Sequence, residues 1–84
     1  MRLKEAVSED MKEGLIVKSL KGHDQGRSYV ILSVVSADFV LLVDGKYRKL
    51  ENPKLKRVKH VEVIGEAVLP EKLTDKAIYK VCSQ

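Results

Sequence analysis

The residues of this chain whose types could do chemistry are overwhelmingly cations. Residues 46–60, KYRKLENPKLKRVKH, hold seven lysines and arginines (Lys46, Arg48, Lys49, Lys54, Lys56, Arg57 and Lys59) against the single acid Glu51. Tyr47 and His60 lie in the same run. Residues 12–27 add four more basic side chains, Lys12, Lys18, Lys21 and Arg27, against two acidic ones. These segments carry +6 and +2 in a chain of net +4, so the remainder sums to −4. A near-neutral body with a basic stripe is the electrostatic footprint of a phosphate-backbone binder. The competing reading is a solvated lysine-rich face with no ligand. Tyr47 and His60 within the run weigh toward binding.

Each lysine or arginine that meets a phosphate releases counterions. With about four to six such contacts, affinity falls on the order of a thousandfold between low and elevated salt. Tyr47 could stack an unpaired base, a contact of roughly 1–3 kcal/mol, or it could pack across a strand beside Lys49. Tyr29 reads as a core or barrel-surface residue.

Other chemistry finds little support. His23 and His60 have no Cys, Asp or Glu cluster at ligand spacing, and zinc normally takes four such ligands. Both read as hydrogen-bonding or phosphate-contacting residues, and no metal is expected. The His23-Asp24 pair lacks a serine or second carboxylate, so Asp24 reads as a loop brace. Cys82, the one cysteine, has no flanking base to make it a nucleophile. There is no Walker loop, Rossmann glycine run or paired-carboxylate site. The expectation is a non-catalytic protein without cofactor or small-molecule substrate.

The elements that must position these cations fit one small domain of 84 residues. A lone cysteine forms no intramolecular disulfide. No apolar run approaches the roughly 20 residues of a membrane span, and residues 1–14 hold no signal-peptide-like stretch. A soluble, cytoplasmic and monomeric protein with no membrane partner is the expectation. Residues 1–12 are weakly periodic, fitting a frayed helix or a disordered arm equally well. Gly14 opens a strand over 15–20. Gly22 and Gly26 then bracket a polar loop, LKGHDQGRS, at positions where positive φ comes without steric cost. Asp24 between them can accept from nearby backbone N–H groups and fix the turn.

Residues 28–36, SYVILSVVS, favour a second strand, with Val30, Leu32 and Val34 on one face and Tyr29, Ile31, Ser33 and Val35 on the other. FVLLV at 39–43 is a third. Asp44-Gly45 is the strongest hairpin signal in the chain and predicts pairing of 39–43 with 46–50 through a type I′ turn. Pro53 ends that returning strand. Val58 and Val61, three apart, suggest a short 3₁₀ turn. Residues 61–69 offer one more strand, broken at Gly65. The tail reads as a short helix with Thr74 as N-cap and Ile78, Val81 and Cys82 on one face. At about two turns it needs docking to persist. The pattern predicts a mainly β fold, a small antiparallel barrel over 13–69 with a C-terminal extension over 70–84.

Gly14, Val17, Gly22, Asp24 and Gly26 fall at the spacing of a KOW motif, and with YVILSVV, the VLLVDGKYRKL segment and RVKHV at 57–61 they extend the match over roughly residues 13–62. The chain resembles small bacterial KOW-domain RNA-binding proteins related to the archaeal and eukaryotic large-subunit ribosomal protein family numbered fourteen. The resemblance implies an SH3-like barrel and a translation-associated RNA partner, above all ribosomal RNA, with ribosomal proteins nearby. It puts the loop Lys21–Arg27, with His23 and Gln25, on the RNA face beside the basic run. His23 and Gln25 stand where many KOW loops carry Lys or Arg, which shifts weight to residues 46–60. Two functions follow as expectations. The first is recognition of structured RNA by shape and backbone. The second is a protein-interaction adaptor, with FVLLV leaving a sheet face exposed and the basic stripe meeting an acidic partner.

Overall fold

A computed structural model of the chain describes residues 11–83; the arm expected over 1–12 lies almost wholly outside them. Five strands, β1 (Leu15–Ser19), β2 (Ser28–Val34), β3 (Phe39–Val43), β4 (Lys54–Arg57) and β5 (Val61–Glu66), form one antiparallel sheet in the order β4-β3-β2-β1-β5. A 3₁₀ turn, Val58–His60, links β4 to β5, and one helix, α1 (Asp75–Cys82), ends the fold. The fold is mainly β, as the patterning predicts. The barrel expected over 13–69 is not closed: β4 and β5 are the two edges of an open sheet and share no ladder.

Period-2 alternation sorts the apolar residues onto both faces. Leu15, Val17, Tyr29, Ile31, Val40, Leu42 and Val61 make the core on one face, with Met11 and Val58 against it. Val30 and Val43 point the other way and meet Ile78 of α1, with Leu32, Leu50 and Val81 around them. Each fully buried Val, Leu or Ile is worth roughly 1.5–3 kcal/mol relative to exposure, so a strand apolar on both faces anchors two layers. A bulge between Ile31 and Ser33 shifts the β2–β3 register. It breaks the strict two-face alternation expected over 28–36.

The Asp44-Gly45 hairpin is not formed. β3 pairs instead with β4, Phe39 opposite Arg57 and Leu42 opposite Lys54. The intervening residues are a loop because the Asp44 carboxylate accepts three successive backbone N–H groups, from Lys46 (2.9 Å), Tyr47 (2.9 Å) and Arg48 (2.8 Å). Backbone donors engaged by a side chain leave less for a strand ladder. Pro53 accordingly precedes β4 rather than ending a strand.

Gly45 does use positive φ (80°), but for helix docking. A Cβ there would run into the backbone carbonyl of Asp75 and stand 2.6 Å from Tyr79 N. Asp75 Oδ1 accepts from Leu50 N at 2.7 Å, which ties loop and helix together. Thr74 caps α1 as expected, its hydroxyl accepting from Ala77 N at 3.1 Å. No helix among the described residues is long and apolar enough to cross a membrane.

Candidate nucleic-acid interface

The loop between β1 and β2 takes its shape from its glycines and from one buried carboxylate. Gly22 and Gly26 hold φ of 95° and 90°, and Gly26 N donates to Ser19 O at 2.8 Å to close the loop base. Asp24 is 7 % exposed. It braces the loop through side chains rather than the backbone donors expected: Ser19 Oγ donates at 2.9 Å, Tyr29 OH at 3.0 Å and Lys56 Nζ at 3.1 Å. Lys54 Nζ lies 3.6 Å from Oδ2, the oxygen that accepts from Tyr29. Burial raises the Asp24 pKa, but the hydrogen bonds from Ser19, Lys56 and Tyr29 and the Lys56 charge outweigh it and hold the carboxyl well below the usual range. Tyr29 is the mirror image: burial, then the Asp24 bond and charge, push its phenol up to about 12.

This network removes Lys56 from the expected set of phosphate contacts. Lys56 stands opposite Val40 on the inner face of β4, is 8 % exposed, and spends its ammonium on Asp24 and on Lys21 O at 2.8 Å. Lys54 shares that face and is half-buried. The alternation along β4 decides the outcome: Leu55 and Arg57, facing the other way, are exposed.

The 3₁₀ turn brings the second part of the surface to the loop. Leu20 N donates to His60 O at 2.8 Å, and Val58 N donates to Asp38 O at 2.8 Å. Lys21, Arg57 and Lys59 are exposed there, and His60 is half-buried among them. Desolvation, then the charges of Lys21, Lys59, Lys56 and Arg57, lower the His60 pKa below its ordinary value. Arg57 also lies 5.2 Å from the centre of the Phe39 ring. His23 and Gln25 are exposed on the loop between these cations.

A second cationic cluster lies where the loop's last residue meets the 44–50 segment. The Arg27 guanidinium sits 4.4 Å from the centre of the Tyr47 ring and Lys46 Nζ 5.1 Å from it. Tyr47 is 60 % exposed, so the cross-strand packing considered for it is absent. Lys49 is exposed and Arg48 half-buried, its carbonyl accepting from Asp44 N at 2.9 Å. Lys18 alternates with Val17 and Ser19 and stands on the other face, opposite Glu62.

Sequence reasoning missed Tyr79. It is 44 % exposed beside Tyr47, with Lys46 Nζ 5.9 Å from its ring. The available signal was its position next to Ile78 but off the apolar face of the helix. Cys82 is half-buried, and burial followed by the Asp44 charge raises its thiol to about 11. No group of three or more His, Cys, Asp or Glu able to hold a metal occurs among the described residues. Of FVLLV, Val40, Leu42 and Val43 are buried, so the run does not present the exposed face expected of an adaptor. Scanned against protein-family models, the chain matches none, and a search of curated proteins finds no match either.

Proposed function

We propose that this protein is a non-catalytic RNA-binding module, translation-associated as its KOW resemblance implies, that engages structured RNA through the surface shared by the β1–β2 loop and the 3₁₀ turn. The observation that carries the proposal is the convergence of Lys21 with Arg57, Lys59 and His60. Lys21 is far in sequence from the 57–60 stretch, yet the Leu20 N–His60 O hydrogen bond of 2.8 Å seats it beside the turn, where its charge acts with those of Lys59 and Arg57 on the His60 imidazole. Like charges held together cost free energy in the free protein, and a polyanion relieves that cost. The cations belong to a braced loop and a stitched turn, so little ordering is needed on binding.

The test is filter binding of a structured ribosomal RNA fragment across a salt series. Wild-type protein is expected to bind at low salt, with log affinity falling linearly in log salt. The variant Lys21→Glu/Arg57→Glu/Lys59→Glu, which leaves the Asp24–Lys56 pair intact, should lose that binding. Absence of wild-type binding at low salt, or unchanged affinity in the variant, would refute the proposal.

A further inference from the structure

Two clefts flank the junction of the 44–50 loop with α1, and neither belongs to the Lys21–Arg57–Lys59 surface. One, of about 310 Å³, is lined by Arg27, Asp44, Lys46, Tyr47, Tyr79 and others. The next, of about 400 Å³, is lined by Gly45, Lys46, Lys49, Asp75, Lys76 and Tyr79. They share Lys46 and Tyr79, so they are two stretches of one groove. Two tyrosines that are 60 % and 44 % exposed stand along it, each with a cation 4.4–5.9 Å from its ring centre.

From this groove we infer a binding site for a single-stranded stretch of RNA, with unpaired bases stacking on Tyr47 and Tyr79 and phosphates tracking Arg27, Lys46, Lys49 and Lys76. The inference rests on the RNA-binding reading and deepens it. Duplex backbone would meet the loop and turn, and an unpaired segment would pass between the 44–50 loop and the helix.

Three features favour this occupant. Exposed aromatic rings interleaved with cations fit planar bases joined by anions. The two acids that line the groove are already engaged: Asp44 by three backbone N–H groups and Asp75 by Leu50 N. Asp44 is buried and Asp75 half-buried while the four cations are exposed, so cations outnumber acids four to two and the wall is net positive. The groove is also firm, because Gly45 lets α1 approach so closely that a Cβ would collide with its backbone. A rigid groove loses little entropy when a strand enters. This assigns the C-terminal helix a second role, as one wall of the RNA surface.

Two RNA probes test the inference, a blunt 16-base-pair duplex and the same duplex carrying a six-uridine single-stranded overhang. Tyrosine fluorescence reports stacking directly, since the chain has three tyrosines and no tryptophan and the third, Tyr29, is buried. The overhang is expected to tighten binding on the order of ten- to a hundredfold over the blunt duplex and to quench the fluorescence. Tyr47→Leu and Tyr79→Leu should each erase most of that gain without weakening duplex binding. Tyr47→Phe and Tyr79→Phe, which keep the rings, should retain it. If wild-type protein binds both probes equally without quenching, the groove inference fails and the RNA-binding reading stands. If it binds neither probe, both fail.

Discussion

Replacing Asp24 by asparagine should be among the most destabilising single changes the fold can suffer. The carboxylate accepts three side-chain hydrogen bonds of 2.9–3.1 Å. Losing its charge leaves the Lys56 ammonium buried without a counter-ion, facing only neutral acceptors such as Lys21 O at 2.8 Å. Removing one member of a buried ion pair costs about 3–5 kcal/mol, mostly as the penalty on the stranded charge. A domain of 84 residues has a total stability of roughly 4–13 kcal/mol. With a urea m-value near 1 kcal/mol/M for so small a chain, the midpoint should fall by about 3 M or more. Urea titrations of the wild type, Asp24→Asn, Lys56→Met and the double variant, followed by circular dichroism, complete the cycle. The expected coupling is about 2 kcal/mol or more, because the double variant strands no charge. The same experiment has a pH arm. Asp24 has a folded-state pKa depressed below its unfolded value near 3.9, so its contribution is fully present above about pH 5. It drains away as pH falls below about 4 toward the folded value, at up to about 1.4 kcal/mol per pH unit. Wild-type and Asp24→Asn stabilities should therefore converge in strong acid. A midpoint shift under about 0.5 M, or additivity within about 0.5 kcal/mol, would refute the assignment of Asp24 and Lys56 as a structural pair.

Gly45→Ala should cost more than Gly26→Ala although both sites have positive φ. At Gly26 an added Cβ meets nothing within 4 Å and the cost is backbone strain of about 1–2 kcal/mol. At Gly45 it collides with α1 and should also release the helix, seen as loss of amide protection over residues 75–82. His60, held below its ordinary pKa by desolvation and four cations, is mostly neutral at pH 7. RNA affinity should therefore rise as pH falls from 7 to 5, and His60→Gln should flatten that rise in a filter-binding series. A thiol reagent at pH 8 should modify Cys82 far more slowly than a free cysteine, with full reactivity returning in urea, because its thiol is raised to about 11.

Local signals in the sequence served well where one residue's chemistry settles the geometry. The glycines at 22 and 26 set the loop, Thr74 marked the helix start, and the Val58–Val61 spacing gave the 3₁₀ turn. They failed where tertiary competition decides. Asp44-Gly45 has the composition of a tight hairpin, but the Asp44 carboxylate gathers the N–H groups of residues 46–48, and Lys54–Arg57 takes the place beside β3. A run of lysines likewise does not say which of them faces inward. Lys56 does, because it alternates with exposed Leu55 and Arg57 and a buried carboxylate awaits it. The basic run is thus divided by strand alternation into a structural cation and a surface set. Tyr79 has no comparable local signal, because its place beside the 44–50 loop depends on how closely α1 approaches Gly45, a distance that no local pattern encodes.

The proposed RNA surface is built from the β1–β2 loop and the 3₁₀ turn. An amide chemical-shift titration of the labelled protein with a structured RNA hairpin tests it most directly. The largest shifts should fall at residues 20–27 and 57–60, with smaller ones at 46–49, and the His60 pKa should move upward as phosphates offset its cationic neighbours. Shifts confined to β5 and its acidic Glu62 and Glu66, or no shifts at low salt, would contradict it.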